Sequence, residues 1–278
     1  MQKLLIDVLL ANNDWDEIVN IIHGLSPPDI AYLLATMVKY GNDRAVVIDF
    51  FYHLKEKKVD LPLGLLFACH DVGDWFASLS CDDLTVLISL QEMKQLALRV
   101  TCCDAAACSV LLKLADPRVI MMIAEEWCKA DNPSDDYTLY FLSKLTRVFD
   151  NSAAGSLVQL LTCPEESHSD ITTFVRSVAA RSLGNIGGEL AVEALVTTMV
   201  KEIEILRETV QEDHWNAAIV REAELEIIKS IAIALVTLSV TVSELIPLKP
   251  LLLAVTSGNY PCEFRDISWK LLQTIDSS

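Results

Sequence analysis

The sequence is poor in glycine, proline and basic side chains, and each shortage narrows the class of protein. With 9 Gly and 9 Pro in 278 residues, the chain has few helix breakers, which favours long helices joined by short loops. The 22 Lys and Arg residues against 39 Asp and Glu residues give a formal net charge of −17. Because affinity for nucleic acids comes mainly from cations that neutralise phosphates, we expect no nucleic-acid function.

Long uncharged apolar runs are also missing. The best candidate, residues 227–242, contains Lys229 and is shorter than the roughly 18 residues that a membrane span needs. The N-terminal stretch MQKLLIDVLLANNDW is interrupted by Asp7, and no small-residue cleavage site follows it. We interpret it as the first helix and expect a soluble, cytoplasmic protein without membrane insertion.

The common catalytic and metal-binding motifs are absent from the sequence, including HExxH, GxGxxG, the P-loop and GxSxG. The eight cysteines form no CxxC pair, which favours reduced thiols in the core. Cys69 and His70 are the one adjacent pair of soft ligands, with Asp71 beside them, but adjacent helical residues point in different directions. We therefore expect no catalytic residue, no cofactor and no metal.

Over half of the residues are apolar, and their spacing indicates helices throughout. Residues 1–25 predict a hairpin whose second helix is capped at Asn13 or Asp14, and residues 30–39 pair with residues 44–55 in a second hairpin. Asp82 and Asp83 predict the cap of a helix that reaches about Leu90. A longer helical stretch continues from there to Leu114, and residues 119–129 form another helix.

A short motif recurs along the second half of the chain. Val175-Arg176-Ser177 is followed by Val220-Arg221-Glu222 and Phe264-Arg265-Asp266, so that the arginines are 45 and 44 residues apart. An apolar template with offsets 0, +3, +8 and +11 fits all three copies, and it also fits copies that start at Tyr137 and Val100. A period in this range is typical of stacked helical repeats.

The stretch LIPLKPLLLAVTSGNYPCEFRDISWKLLQTI, from Leu245, resembles a HEAT repeat. SLVQLLTCPEESHSDITTFVRSVAARSLGNIGG, from Ser156, resembles the HEAT-like repeats of phycobilisome lyases and bacterial scaffold proteins. The resemblance implies an all-α fold, a right-handed α-solenoid of HEAT/armadillo-like helical hairpins. We expect one domain over residues 1–278, with degenerate repeats in 1–117 and clearer ones in 118–278.

In the family that the chain resembles, an aspartate in the turn and an arginine six residues later form a ladder between units. Asp170 and Arg176 match that spacing, whereas Trp215 and Asn259 stand six residues before Arg221 and Arg265. The arginines could instead bind anions, but we favour the structural ladder, because a guanidinium can bridge carbonyls and a carboxylate while its stem packs. Deoxyhypusine hydroxylase, a HEAT-repeat metalloenzyme, carries His-Glu pairs that this chain lacks.

Residues 192–215 depart from the repeat length and predict a long helix or insertion. Its apolar stripe favours a core helix, while Glu202 and the other acidic residues line its remaining faces. The alternative is an acidic rim for a partner, completed by Glu222, Glu224 and Glu226. The candidate partner-binding residues in this region are Trp215, Glu204, Glu208, Glu212 and Asp213.

These patterns favour a non-catalytic scaffold or adaptor that binds a partner protein on a concave face. The acidic composition suits a partner with a basic surface. A phycobilin lyase or chromophore chaperone that acts on a phycobiliprotein is the alternative that the resemblance implies. A metal or iron–sulfur protein is a third class, which would depend on the cysteines.

Overall fold

The structure, a computed structural model, describes residues 15–40, 43–129, 135–162, 170–209, 215–238, 245, 248–257 and 262–276. Within these ranges every regular element is helical, so the all-α prediction is confirmed. The first eight helices are α1 Trp15–His23, α2 Pro27–Tyr40, α3 Arg44–Glu56, α4 Leu63–Leu66, α5 His70–Ala77, α6 Cys81–Leu87, α7 Leu90–Thr101 and α8 Ala105–Leu114. The second eight are α9 Arg118–Lys129, α10 Asp135–Leu145, α11 Ala154–Leu161, α12 Asp170–Ile186, α13 Glu189–Thr209, α14 Trp215–Thr237, α15 Lys249–Ser257 and α16 Cys262–Asp276.

The chain divides into two compact units. Unit 1 comprises Met1–Ala115 and Lys129–Phe141, and unit 2 comprises Asp116–Cys128 and Leu142–Ser278. The division after Ala115 lies close to residue 117, where the sequence separates degenerate from clearer repeats. A single continuous domain over the whole chain stays a prediction.

Local sequence explains where several helices begin and end. Asp43 caps α3 by accepting a hydrogen bond from the Ala45 amide, and α1 carries Asp16 and Glu17 in its first turn, where the helix dipole favours negative charge. At the end of α12, Gly187 has a φ of +76°, a left-handed conformation that glycine adopts without steric cost. The predicted helix over residues 119–129 is confirmed as α9.

The stretch from Asp82 to Leu114 differs from its prediction in two respects. The cap of α6 is Ser80, whose hydroxyl accepts from the Asp83 amide in a capping box, so the predicted cap at Asp82 and Asp83 is wrong by two residues or more. The helix also breaks after Thr101. Cys103 takes a φ of 64° there, and Asp104 caps α8 by accepting from two amides.

The apolar template describes unit 2 better than the upstream copies. In the three arginine-marked copies, the template residues that are buried are Val175, Val178, Leu183, Ile228, Ile231, Leu272 and Ile275. In the two upstream copies, Tyr140 and Val148 are 59% and 39% exposed and Cys103 lies in the exposed turn before α8, so the template is wrong at these three positions. Helical spacing alone could not reveal the turn that Asp104 introduces.

Aromatic residues fill part of the core of unit 1. Phe51 contacts the rings of Trp75 and Phe76, with centroids 5.3 and 5.5 Å apart, and Trp15 of α1 contacts Phe50 at 5.3 Å. Ring pairs at these separations stabilise a core beyond the area that they bury. They join α1, α3 and α5 within unit 1.

Unit 2 is built from helices that pack on their neighbours and on the next helix but one. α12 packs on α11, α13 and α14, while α14 packs on α13 and α16. α12 and α14 approach closely, because a Cβ atom on Gly184 would lie only 2.7 Å from the Cα atom of Ala234. These helix–helix contacts form the core between residues 154 and 276.

None of the helices within the described residues combines the length and apolar character that a bilayer span requires. The predicted first helix, in residues 1–14, lies outside the part of the chain that the structure describes.

Candidate functional site

The partner-binding residues predicted around α13 are described only in part. Glu204 is exposed on α13, and Trp215 is the first residue of α14. The side chains of Glu208 and Trp215, together with residues 212–213, lie outside the described part of the chain. Their assembly into one binding surface stays a prediction.

The sequence predicts Glu202 on a face of α13 away from the apolar stripe, but its side chain is fully buried, at 0% exposure. It accepts a hydrogen bond from the guanidinium of Arg176, whose Nε donates to the Leu161 carbonyl of α11 at 2.8 Å. Arg176 is itself 2% exposed. A buried charge of this kind needs a partner, and the pair links α11, α12 and α13 as a structural element.

The prediction that Glu224 belongs to an acidic rim is also wrong, because its side chain is completely buried on α14. Glu222 and Glu226 are exposed, and Glu226 lies 3.8 Å from Arg181 in a half-exposed ion pair. The acidic segment is therefore divided between the core and the surface. The surface part that the structure describes consists of Glu204, Glu222 and Glu226.

Arg265, another member of the predicted arginine ladder, does not repeat the environment of Arg176. Arg265 is exposed, and its guanidinium lies 3.1 Å from the Sγ atom of Cys262. The side chains of Asp170 and Arg221 lie outside the described part of the chain. Arg176 thus has a structural role through Glu202 and Leu161, whereas a ladder along all three repeats stays a prediction.

Within the described residues, no three His, Cys, Asp or Glu side chains converge as metal ligands would. Of the two adjacent soft ligands, His70 is largely exposed and contacts Asp74 at 3.0 Å, whereas Cys69 is half-buried. Cys102 and Cys103 are exposed, whereas Cys108 is buried. Burial raises the pKa of the Cys108 thiol to about 11, which keeps it protonated and unreactive at neutral pH.

Unit 1 contains a second buried ion pair, between Lys55 of α3 and Glu92 of α7. Glu92 is 1% exposed and also accepts hydrogen bonds from the amides of Leu61, at 2.9 Å, and Ser89, at 2.7 Å. Its acceptors are occupied by groups of the chain itself. We assign this carboxylate a structural role.

Tyr52 and Asp83 form a further polar contact in unit 1. The Tyr52 hydroxyl donates to Asp83 at 2.5 Å, and this bond, with burial, raises the pKa of Tyr52 to about 12. Hydrogen bonds from Ser80 and Tyr52 hold the pKa of Asp83 below its usual value. The pair fixes α3 against the first turn of α6.

An open groove of about 540 Å³ lies in unit 1 between α2 and the segment of α4, and we call it the α2–α4 groove. Its lining consists of Pro28, Ala31, Tyr32, Ala35, Thr36, Lys39, Leu65, Ala68 and Cys69. Two large apolar side chains border it, Tyr32 at 64% exposure and Leu65 at 47%. Because small alanine side chains line the groove between Tyr32 and Leu65, the groove is apolar and has one exposed large side chain on each side.

The sequence does not predict this groove. Tyr32 and Leu34 both lie on the apolar helix α2, and the sequence alone does not show that only Leu34 is buried. Leu34 and Met37 face the core at 0% and 1% exposure. One sequence signal for the groove is the position of Ala31 and Ala35 on either side of Tyr32, because small residues four apart leave a furrow on a helix.

Tryptophans are ordinary candidates for binding surfaces, and the structure separates those that it describes. Trp127 contacts Phe174 with centroids 4.8 Å apart, and Trp15 and Trp75 contact core phenylalanines. Trp269 on α16 is 56% exposed. It is a candidate contact residue that the sequence analysis did not select.

No protein-family profile and no curated protein matches the chain. Among solved structures, an engineered protein is similar at 16% identity with a TM-score of 0.30, over 88% of this chain and 96% of that one.

Proposed function

We propose that the chain is a non-catalytic scaffold or adaptor whose helices stack as a right-handed solenoid of HEAT-like hairpins. The observation that carries this proposal is the packing of alternate helices in unit 2, with α12 on α14 and α14 on α16. Stacked hairpins of this kind present extended surfaces that bind other proteins.

The exposed residues of unit 2 supply the contact chemistry for the proposed partner. Trp269 offers a large apolar surface, and Glu204 lies on α13 with its carboxylate in water. Aromatic anchors provide much of the binding energy at protein interfaces, while exposed charges steer a partner of opposite sign. The net charge of −17 favours a partner with a basic surface.

Affinity capture from native extract, followed by mass spectrometry, tests the proposal. Removal of residues 201–215 would also remove buried Glu202, Ile203 and Leu206, so surface substitutions are the sharper variants. We expect a protein captured by the wild type to be lost with Glu204→Lys or with Trp269→Ala, because both side chains are exposed.

Glu193→Lys is the matched control, because Glu193 is an exposed glutamate on the same helix α13. A protein that binds the control as it binds the wild type, but not the surface variants, supports a scaffold. If no protein is captured in an amount equimolar with the chain, the proposal is overturned. A bilin that copurifies with the chain would instead favour the chromophore-lyase alternative.

A further inference from the structure

We draw no further inference here: the strongest candidate, the α2–α4 groove of unit 1, has Lys39 as the one charged residue among the described residues that line it, this lysine is already paired with Asp71 at 3.4 Å, and nothing in the structure shows what covers the groove.

Discussion

The guanidinium of Arg176 on α12 donates a hydrogen bond to the carboxylate of Glu202 on α13, and water reaches almost none of either side chain. Arg176→Ala would leave a buried carboxylate without this cation, so we expect a loss of about 3–5 kcal/mol in the free energy of unfolding. Urea denaturation followed by circular dichroism measures it.

Replacing both members of the pair by methionine is the informative control. The double variant removes both buried charges while keeping much of their volume, and it should recover most of the lost stability. A double variant as unstable as Arg176→Ala would show that packing or the bond to Leu161, and not the charge pair, dominates.

A second prediction concerns the close approach of α12 and α14. Gly184→Ala places a Cβ atom 2.7 Å from Ala234, so the helices must separate, and we expect a loss of about 1–3 kcal/mol. Gly155→Ala on α11 meets nothing within 4 Å and should be neutral or stabilising by up to about 1 kcal/mol. Thermal denaturation of the two variants compares them, and equal effects would contradict the close packing.

The thiols of unit 1 should differ in reactivity. Cys102 and Cys103 are exposed and should react with iodoacetamide in the native protein at pH 8, whereas Cys108 should not, because burial raises its pKa to about 11. Mass spectrometry of the labelled peptides identifies the sites. Addition of urea should equalise the labelling, and rapid native modification of Cys108 would place it nearer the surface.

The Tyr52–Asp83 bond predicts a pH-dependent contribution to stability. The folded state lowers the pKa of Asp83, so its contribution is present above the ordinary carboxyl value and is lost as the pH falls through the folded pKa. Tyr52→Phe should therefore destabilise the chain by about 1 kcal/mol at pH 7 and by less near pH 3. Urea titrations at both pH values measure this difference, and an equal effect at both would exclude the carboxylate as the cause.

Some helix boundaries followed from local sequence, whereas the cap predicted at Asp82 and Asp83 did not. The acidic first turn of α1 lies at a helix start, and α8 ends at Leu114, where the sequence predicts the end of the helical stretch. The break between α7 and α8 was missed, because Cys102 and Cys103 fit the helical spacing while the cap of α8 depends on Asp104.

The environment of the acidic residues could not be predicted from spacing along one helix. Glu202 and Glu204 lie two residues apart on α13, yet only Glu204 is exposed. Glu202 is buried because Arg176, 26 residues earlier in the chain, reaches it from α12. A pairing between helices decides such burial, and the sequence of a single helix does not contain it.

The α2–α4 groove escaped prediction for a similar reason. Residues 56–81 contain several breakers, and the segment of α4 is only four residues long, so no periodic signal indicates what lies beside α2. Tyr32 and Leu65 come together only when α4 packs on α2.

Glu92 receives the Leu61 and Ser89 amides and the Lys55 ammonium at one carboxylate, which ties together parts of the chain up to 37 residues apart. An ideal repeat array opens segment by segment, because each hairpin contacts only its neighbours. Because one carboxylate bonds to all three segments, α3, α7 and the loop that contains Leu61 should instead open together. In amide hydrogen exchange, the Leu61 proton should then exchange as slowly as the most protected amides of α7, although it lies in a loop.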